Sequence, residues 1–576
     1  MKKVKLSDNA LTVATNRYFM DGEDWEGCAN RVANTISMPE ANNRNKIRDS
    51  FAEMIYNMDF LPGGRILRNC GRPRGSLFNC YHLPIGDSIE EIGQFIKDSL
   101  ILWSEGGGVG CNFTPLRPRG DVILGKGGNS SGLVSFIQAA DAVAKTIESG
   151  GARRAAAIAH VDVSHPEVID FIDAKLVDGR ISSFNISVAV NEDFLLAVES
   201  DDEWTFKFKQ KKYNTVRARD IWKKIVKNMV DCAEPGLLNW TNFSKNNSYY
   251  FEPVLGTNPC GETTLGPYGV CDLGSLVLPN FITGNVNTNW KKLEQTIRYA
   301  VRFLDDVIDS NKYTLKEIDI NAHKSRRIGI GVIGLAEYLF AKKVRYGSEK
   351  AVAETEKLMR FIRDVCYQAS LELAIEKGAF PMFDPIAYGK ASFVRKLPAS
   401  LRMDIKKHGI RNCTSMALAP TGTISLIADY SSAIEPLFAK AMRRNDRVGE
   451  RVYVHPKYKE MIVNGEEIPE WFVDSFDLEP SDHFEMQVAC QRYCDASVSK
   501  TINLPAETTD QELSDLLLEY IHDLKGCTVY RDGSREGQIL NRISDEEVRA
   551  EILNDASIET NMEESDVKCA TGACEI

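Results

Sequence analysis

Between about Leu61 and Asn541 the chain alternates short apolar segments with longer stretches of helical periodicity, and no other feature narrows its fold so much. Ile186-Ser187-Val188-Ala189-Val190 has the two-residue alternation of a strand. Leu133 to Ile147, Ala218 to Cys232, Leu293 to Ser310 and Ala351 to Lys377 repeat apolar residues at helical spacing. Further apolar runs, Ile328 to Ile333 and Ser415 to Leu418, fall between helices. Strands that take turns with helices predict an α/β fold whose parallel sheet is covered by helices, open or closed into a barrel. Glycine-rich breakers at 104–110 and 125–132 punctuate the first half, and Gly150-Gly151 ends the helix from Leu133. Residues 1–60, before Leu61-Pro62-Gly63-Gly64, read as a helical segment, and 61–540 as the α/β unit. In 541–576 Glu and Asp dominate and aromatics vanish, the composition of a mobile acidic tail.

The chain has 576 residues, 43% hydrophobic and 26% charged, ordinary for a globular protein with a large core. A formal net charge of -11 argues against a surface that coats nucleic acid, while leaving room for a local basic pocket for nucleotide phosphates. No apolar run reaches the ~18–20 residues of a membrane span. Met-Lys-Lys-Val-Lys-Leu leads into polar sequence, not a signal core. No membrane association and a cytoplasmic location are therefore expected.

Fourteen cysteines in a chain of this length do not make a disulfide scaffold, and none shows Cys-x2-Cys zinc spacing. Cys28, Cys70, Cys232, Cys366, Cys413, Cys490, Cys494 and Cys527 are expected to be packing residues. Cys260 differs, because Thr257-Asn258-Pro259-Cys260-Gly261-Glu262 puts an amide and a carboxylate two residues either side of a thiol. An extended segment would project all three side chains to one face. Asn-Pro and Cys-Gly equally suit a plain turn. In the tail, Cys569 and Cys574 are separated by four residues on an arm that cannot pack, which suits an exposed dithiol that exchanges with other thiols.

Several motifs together resemble the ribonucleotide reductase catalytic subunit over nearly the whole chain. They are Leu77-Phe78-Asn79-Cys80, Asn258-Pro259-Cys260-Gly261-Glu262, Cys271-Asp272-Leu273-Gly274-Ser275-Leu276, Pro420-Thr421-Gly422-Thr423-Ile424-Ser425 and the terminal dithiol. The resemblance implies a ten-stranded α/β barrel of two five-stranded parallel halves, with Cys260 on a central finger loop. It implies a thiyl radical at Cys260, with Glu262 accepting the substrate 3′-hydroxyl proton and Asn258 orienting the departing 2′ oxygen. Cys80 and Cys271 would supply two electrons by forming a disulfide. Cys569 and Cys574 would re-reduce them and hand the oxidation to a thioredoxin- or glutaredoxin-type reductant. Thr421, Gly422, Thr423, Ile424 and Ser425 resemble a phosphate-binding turn at a helix start, with Asn79 a further contact to the ribonucleotide substrate. Asp87, Ser104 and Arg117 match the family's contacts to a deoxynucleotide or ATP effector. The 125–132 loop and Gly150-Gly151-Ala152-Arg153-Arg154-Ala155 resemble its two specificity loops, Arg153 being the effector-contacting candidate. That site lies at a subunit interface in the family, so a homodimer is implied.

The radical source is indicated by departures from the pattern. A class I large subunit takes its radical from a second subunit through adjacent tyrosines near the C-terminus. Here Tyr520 and Tyr530 stand apart, and Tyr249-Tyr250 precedes the Cys260 loop. Thr528-Val529-Tyr530-Arg531-Asp532-Gly533-Ser534-Arg535 and Phe60-Leu61-Pro62-Gly63-Gly64-Arg65 resemble the class II enzymes, which use adenosylcobalamin. There is no Asp-x-His-x-x-Gly, so no lower-ligand histidine is identified and no protein-bound metal is expected. The chain begins close to Cys80, so an N-terminal ATP-binding domain and overall control by dATP are not expected. Dimeric relatives lean towards diphosphate substrates, which sets that expectation here. A class I subunit that needs a partner, and a nucleotide sensor without chemistry, remain the alternatives.

Overall fold

The computed structural model describes residues 4–123, 127–149, 153–176, 180–284, 286–446, 449–534, 540–544 and 546–549. The chain opens with the helices Asp8–Arg17, Trp25–Ile36 and Arg44–Tyr56. Ser7 and Asp24 start the first two by accepting from the N–H of Ala10 and Gly27, the usual duty of small oxygen-bearing residues at that position. Trp25–Ile36 buries Trp25, Cys28, Ala29, Val32, Ala33 and Ile36 along one face.

A ladder of strands follows. Cys80–His82, Gly108–Asn112, Ala157–Asp162, Phe184–Val190 and Gly236–Asn239 pair in parallel, each with the next. Gly236–Asn239 then pairs antiparallel with Gly526–Arg531, which lies parallel to Thr501–Leu504. Single parallel bridges, Leu418 to Val498 and Met416 to Ile330, lead to Gly329–Ile333, which is parallel to Leu273–Val277. The segment just before it, Val270–Cys271, pairs antiparallel with Cys80–His82. The ladder thus returns to its first strand: two five-stranded parallel halves close along two antiparallel seams. The strand expected at Ser415 to Leu418 is held by bridges instead of a regular ladder. The cause is a side chain remote in sequence, since the Asp495 carboxylate takes the backbone N–H of both Ser415 and Met416 at 2.8 Å.

Helices coat this barrel. Trp290–Ser310, started by Asn289, packs an apolar face against the long helix Glu349–Lys377, which starts at Ser348 and ends at Gly378. The buried Glu40 carboxylate accepts from Arg302 and Lys377, both at 2.8 Å, and so ties the N-terminal helices to that coat. Cys28, Cys70, Cys366, Cys413, Cys490, Cys494 and Cys527 are buried packing residues as expected, and Cys232 is half-buried. Among the described residues no helix is long and apolar enough to cross a membrane.

Candidate active site

The segment carrying Cys260 enters the barrel as a small hairpin, Gly256–Thr257 paired antiparallel with Thr264–Leu265. Its tip is a turn closed by Gly261 N–H donating to Asn258 O at 3.0 Å, with Gly261 at φ +81°. The extended alternative is therefore set aside: glycine's freedom at positive φ folds the tip back instead. Both halves of the barrel grip it. On one side Gly108 and Gly110 clear the way, because a Cβ on Gly108 would lie 2.9 Å from the Pro259 ring and 3.0 Å from Cys80 Sγ. On the other side Ser497 N–H donates to Glu262 O at 2.8 Å.

Around the tip, burial sorts the side chains. Asn258 and Glu262 are fully covered, whereas Cys260 is partly exposed. Asn258 Oδ1 accepts from Thr263 N–H at 3.1 Å and from the Thr257 hydroxyl at 3.2 Å. Asn258 Nδ2 and both Glu262 carboxylate oxygens have no hydrogen-bond partner among the described residues. Such groups are costly to bury and are left for something that arrives later. Burial pushes the Glu262 carboxyl up to about 7, with Asn258 opposing, the range of a proton acceptor working near neutral pH.

Cys80 and Cys271 are direct register partners across a seam of the barrel. The Cα atoms of such partners lie roughly 4.5–5.5 Å apart, inside the span that a disulfide bridges. The two sulfurs share one apolar cluster with Leu265, Leu273, Ala417, Ala419 and Ala496, and Cys260 packs against it. Burial, then the neighbouring Glu262 and Cys80, push the Cys271 thiol well above its ordinary range. It donates to the Thr263 hydroxyl at 3.3 Å. Three sulfurs and one carboxyl therefore meet inside the barrel.

The phosphate-turn candidates follow directly from this wall. Two residues past Ala419, Thr421 precedes the short helix Gly422–Ala428, which contains Gly422, Thr423, Ile424 and Ser425. Ser432 fixes the turn by accepting from Thr421 N–H at 2.9 Å, and Thr421 Oγ1 accepts from Ala433 N–H at 2.9 Å. The hydroxyl of Tyr18, from the N-terminal helices, meets the Thr423 hydroxyl. Asn79 accepts from Arg65 N–H at 3.3 Å, and Gly63 N–H donates to Leu273 O at 2.8 Å. The Pro62-Gly63-Gly64-Arg65 motif is thus part of the same wall. Tyr18 and Ser432 escaped the sequence reading because no local motif marks them, while Gly108 and Gly110, read there as part of a breaker, lie on the strand Gly108–Asn112.

The effector candidates are only partly brought together. Asp87 accepts from Arg117 N–H at 2.9 Å and from its guanidinium at 3.1 Å. These bonds hold the Asp87 carboxyl below its usual range against the cost of burial. Ser104 sits at the far end of the 16-residue helix Ile89–Ser104, about 24 Å away by helix rise. Lys209, at the tip of the hairpin formed by Glu203–Phe208 and Lys211–Arg217, adds a second cation to Asp87 at 3.4 Å. Arg153 lies on the strand Arg153–Arg154, paired with Glu148–Ser149, and its side chain is outside the described residues. Residues 125–126 and 150–152, within the two expected specificity loops, and Cys569 and Cys574 are also outside them. Tyr249 lies in a separate apolar cluster, with the Arg327 guanidinium 4.5 Å from its ring centre.

Comparison with known proteins shows the family. The family described as "Ribonucleotide reductase, barrel domain" matches residues 78–530, and "Ribonucleotide reductase, all-alpha domain" matches 4–75. The chain is 34% identical to the vitamin B12-dependent ribonucleoside-diphosphate reductase of Thermoplasma acidophilum, over 91% of this chain and 71% of that protein. It is 35% identical to the enzyme of the same name from Mycobacterium tuberculosis, over 94% of this chain and 81% of the relative. The ribonucleoside-diphosphate reductase subunit alpha of Chlamydia trachomatis is 26% identical over 85% of this chain and 54% of its own length. The chain belongs to the ribonucleotide reductase family and spans both its all-α and its barrel domains.

Proposed function

We propose that this chain reduces ribonucleoside diphosphates to 2′-deoxyribonucleotides through a thiyl radical at Cys260. The observation that carries the reading is the convergence of Cys260, Glu262, Cys80 and Cys271 on one cluster within the barrel. The Cys260 thiyl takes the 3′ hydrogen atom, and Glu262 accepts the 3′-hydroxyl proton. Asn258, through its unpartnered Nδ2, holds the 2′ oxygen, which leaves as water. Cys80 and Cys271 give up two electrons and two protons to become a disulfide, one proton leaving in the water and one hydrogen ending on C2′. Glu262 returns its proton to the 3′ oxygen, and Cys260 its hydrogen atom to C3′, which restores the thiyl. Thr421 to Ser425, with Asn79, hold the phosphates. Cys569 and Cys574 restore the Cys80–Cys271 dithiol by exchange, and a thioredoxin- or glutaredoxin-type partner reduces them in turn. Thiol chemistry of this kind suits a reducing cytoplasm.

For the radical source we infer adenosylcobalamin, because the relatives of highest identity described above carry the name of vitamin B12-dependent enzymes. Bound, that group supplies a carbon radical by cobalt–carbon cleavage. What the barrel offers it is an opening at one atom. Cys260 is partly exposed while Asn258 and Glu262 are sealed, so the sulfur would be the group to pass a hydrogen atom outwards. An effector nucleotide would be held by Asp87 and Arg117, with Lys209 beside them. Because Asp87 and Ser104 flank opposite ends of one helix, two copies with that helix antiparallel would bring both residues into one site. This favours a homodimer.

An anaerobic assay of the purified chain with adenosylcobalamin and a dithiol, comparing CDP with CTP, tests the proposal. Deoxycytidine diphosphate without any second protein is the expected product. Activity that appears only with a separate radical-generating subunit would overturn the cobalamin reading, and turnover by Cys260→Ser would overturn the thiyl.

A further inference from the structure

Arg360 and Arg363, almost one turn apart on the helix Glu349–Lys377, both lie against the ring of Tyr493, at 5.3 and 5.2 Å from its centre. With Lys396 and Arg492 they wall a groove of about 500 Å³. Three carboxylates answer these four cations: Asp364 pairs with Arg363 at 2.6 Å, Glu356 with Arg492 at 2.5 Å, and the Asp523 charge acts on Lys396. Arg360 donates to the Tyr493 hydroxyl at 2.8 Å. Lys396 has no hydrogen-bond acceptor among the described residues. Partial loss of solvent, then the Arg363 charge, hold Lys396 below the ordinary lysine range, with Asp523 opposing. In a chain of net charge -11, this is a gathered and under-compensated positive site.

A second groove, of about 520 Å³, adjoins the first, since Arg360 and Asp364 line both. Its character is different. Trp290 and Phe361 meet edge to face at 4.7 Å, with Lys357 5.4 Å over the Trp290 ring. Helical spacing puts Lys357, Arg360, Phe361 and Asp364 on one face, so one helix joins the cationic end to the aromatic end.

We propose that the two grooves form one binding site for a nucleoside triphosphate, separate from the catalytic cluster and from the Asp87–Arg117 pair. The triphosphate lies along Arg360, Lys396 and Arg492, where its charge relieves the repulsion among them. The base lies against Trp290 and Phe361. An acidic peptide would satisfy the cations but leave the aromatic half unused, which favours the nucleotide.

The test is calorimetric titration of ATP, tripolyphosphate and adenosine into the Arg117→Ala chain, where binding at the effector pair is removed. ATP is expected to bind at least about tenfold tighter than tripolyphosphate. Combined Arg360→Gln, Lys396→Gln and Arg492→Gln should weaken ATP roughly 100-fold or more. All three side chains are solvent-exposed, and an unchanged melting temperature verifies the fold. Trp290→Leu should weaken ATP about tenfold and leave tripolyphosphate unchanged. No ATP binding, equal ATP binding by the triple variant, or tripolyphosphate binding as tight as ATP would each overturn the proposal.

Discussion

Gly110 lies so close to Thr257 that a Cβ on it would stand 1.8 Å from the Thr257 carbonyl oxygen. A barrel strand and the Cys260 hairpin therefore touch through bare backbone. Gly110→Ala should displace the hairpin and lower kcat about 100-fold, since near-ångström misplacement of a reacting atom costs that much. Substrate binding at Thr421 to Ser425 should survive. Turnover and equilibrium binding of CDP, measured side by side, check this.

Glu262 sets a pH dependence. With its carboxyl near 7, it is mostly protonated at pH 6 and ionised at pH 8, so kcat/KM should rise with pH through about 7. Glu262→Gln should remove that limb along with most activity. Stability moves the other way: between the ordinary glutamate pKa and 7 the folded state holds the extra proton, so stability falls as pH rises. Glu262→Gln should therefore be more stable at pH 8, by up to about 3 kcal/mol, read from urea unfolding at pH 5 and pH 8.

Cys271→Ser and Cys80→Ser should each abolish deoxynucleotide formation even in a single turnover. Cys569→Ser and Cys574→Ser should still give one product per chain without reductant, and a small dithiol should restore their steady-state rate. Rapid-quench product counts separate the two groups.

Tyr18 reaches the phosphate turn from another domain, through the Thr423 hydroxyl. Tyr18→Phe removes one hydrogen bond, and KM should rise about fivefold with kcat nearly unchanged. A fall in kcat instead would place Tyr18 in the chemistry.

Asp272, next to Cys271, is buried with neither carboxylate oxygen hydrogen-bonded among the described residues. Burial, then Asp305, push its carboxyl well above the usual range. Asp272→Asn should keep the fold and raise the melting temperature at pH 8 more than at pH 5, by the same linkage as Glu262. Thermal melts at the two pH values test it.

Much of this site is legible along the chain because its chemistry sits in short motifs. Asn258, Cys260 and Glu262 are neighbours in sequence, and Thr421 to Ser425 form one turn. Periodicity placed the helices at Ala218–Cys232 and Glu349–Lys377 well. What escaped depends on pairing over long separations. The Cys80–Cys271 pair was expected only through the family resemblance, and nothing local says that Gly110 must be bare or that Ser497 holds the hairpin from the opposite half. Asp87 and Ser104 look adjacent as motif positions but are separated by the rigid length of a helix. The strand at Ser415 to Leu418 was blurred by a distant side chain, Asp495, which takes amides a ladder would use.

The seam at Cys80 and Cys271 is one of the two lines along which the parallel halves meet. With both thiols free the seam is already closed by backbone pairing, and a disulfide there would add a covalent tie to it. Oxidation at this pair would thus leave the register of the two strands in place and change only how firmly they are tied.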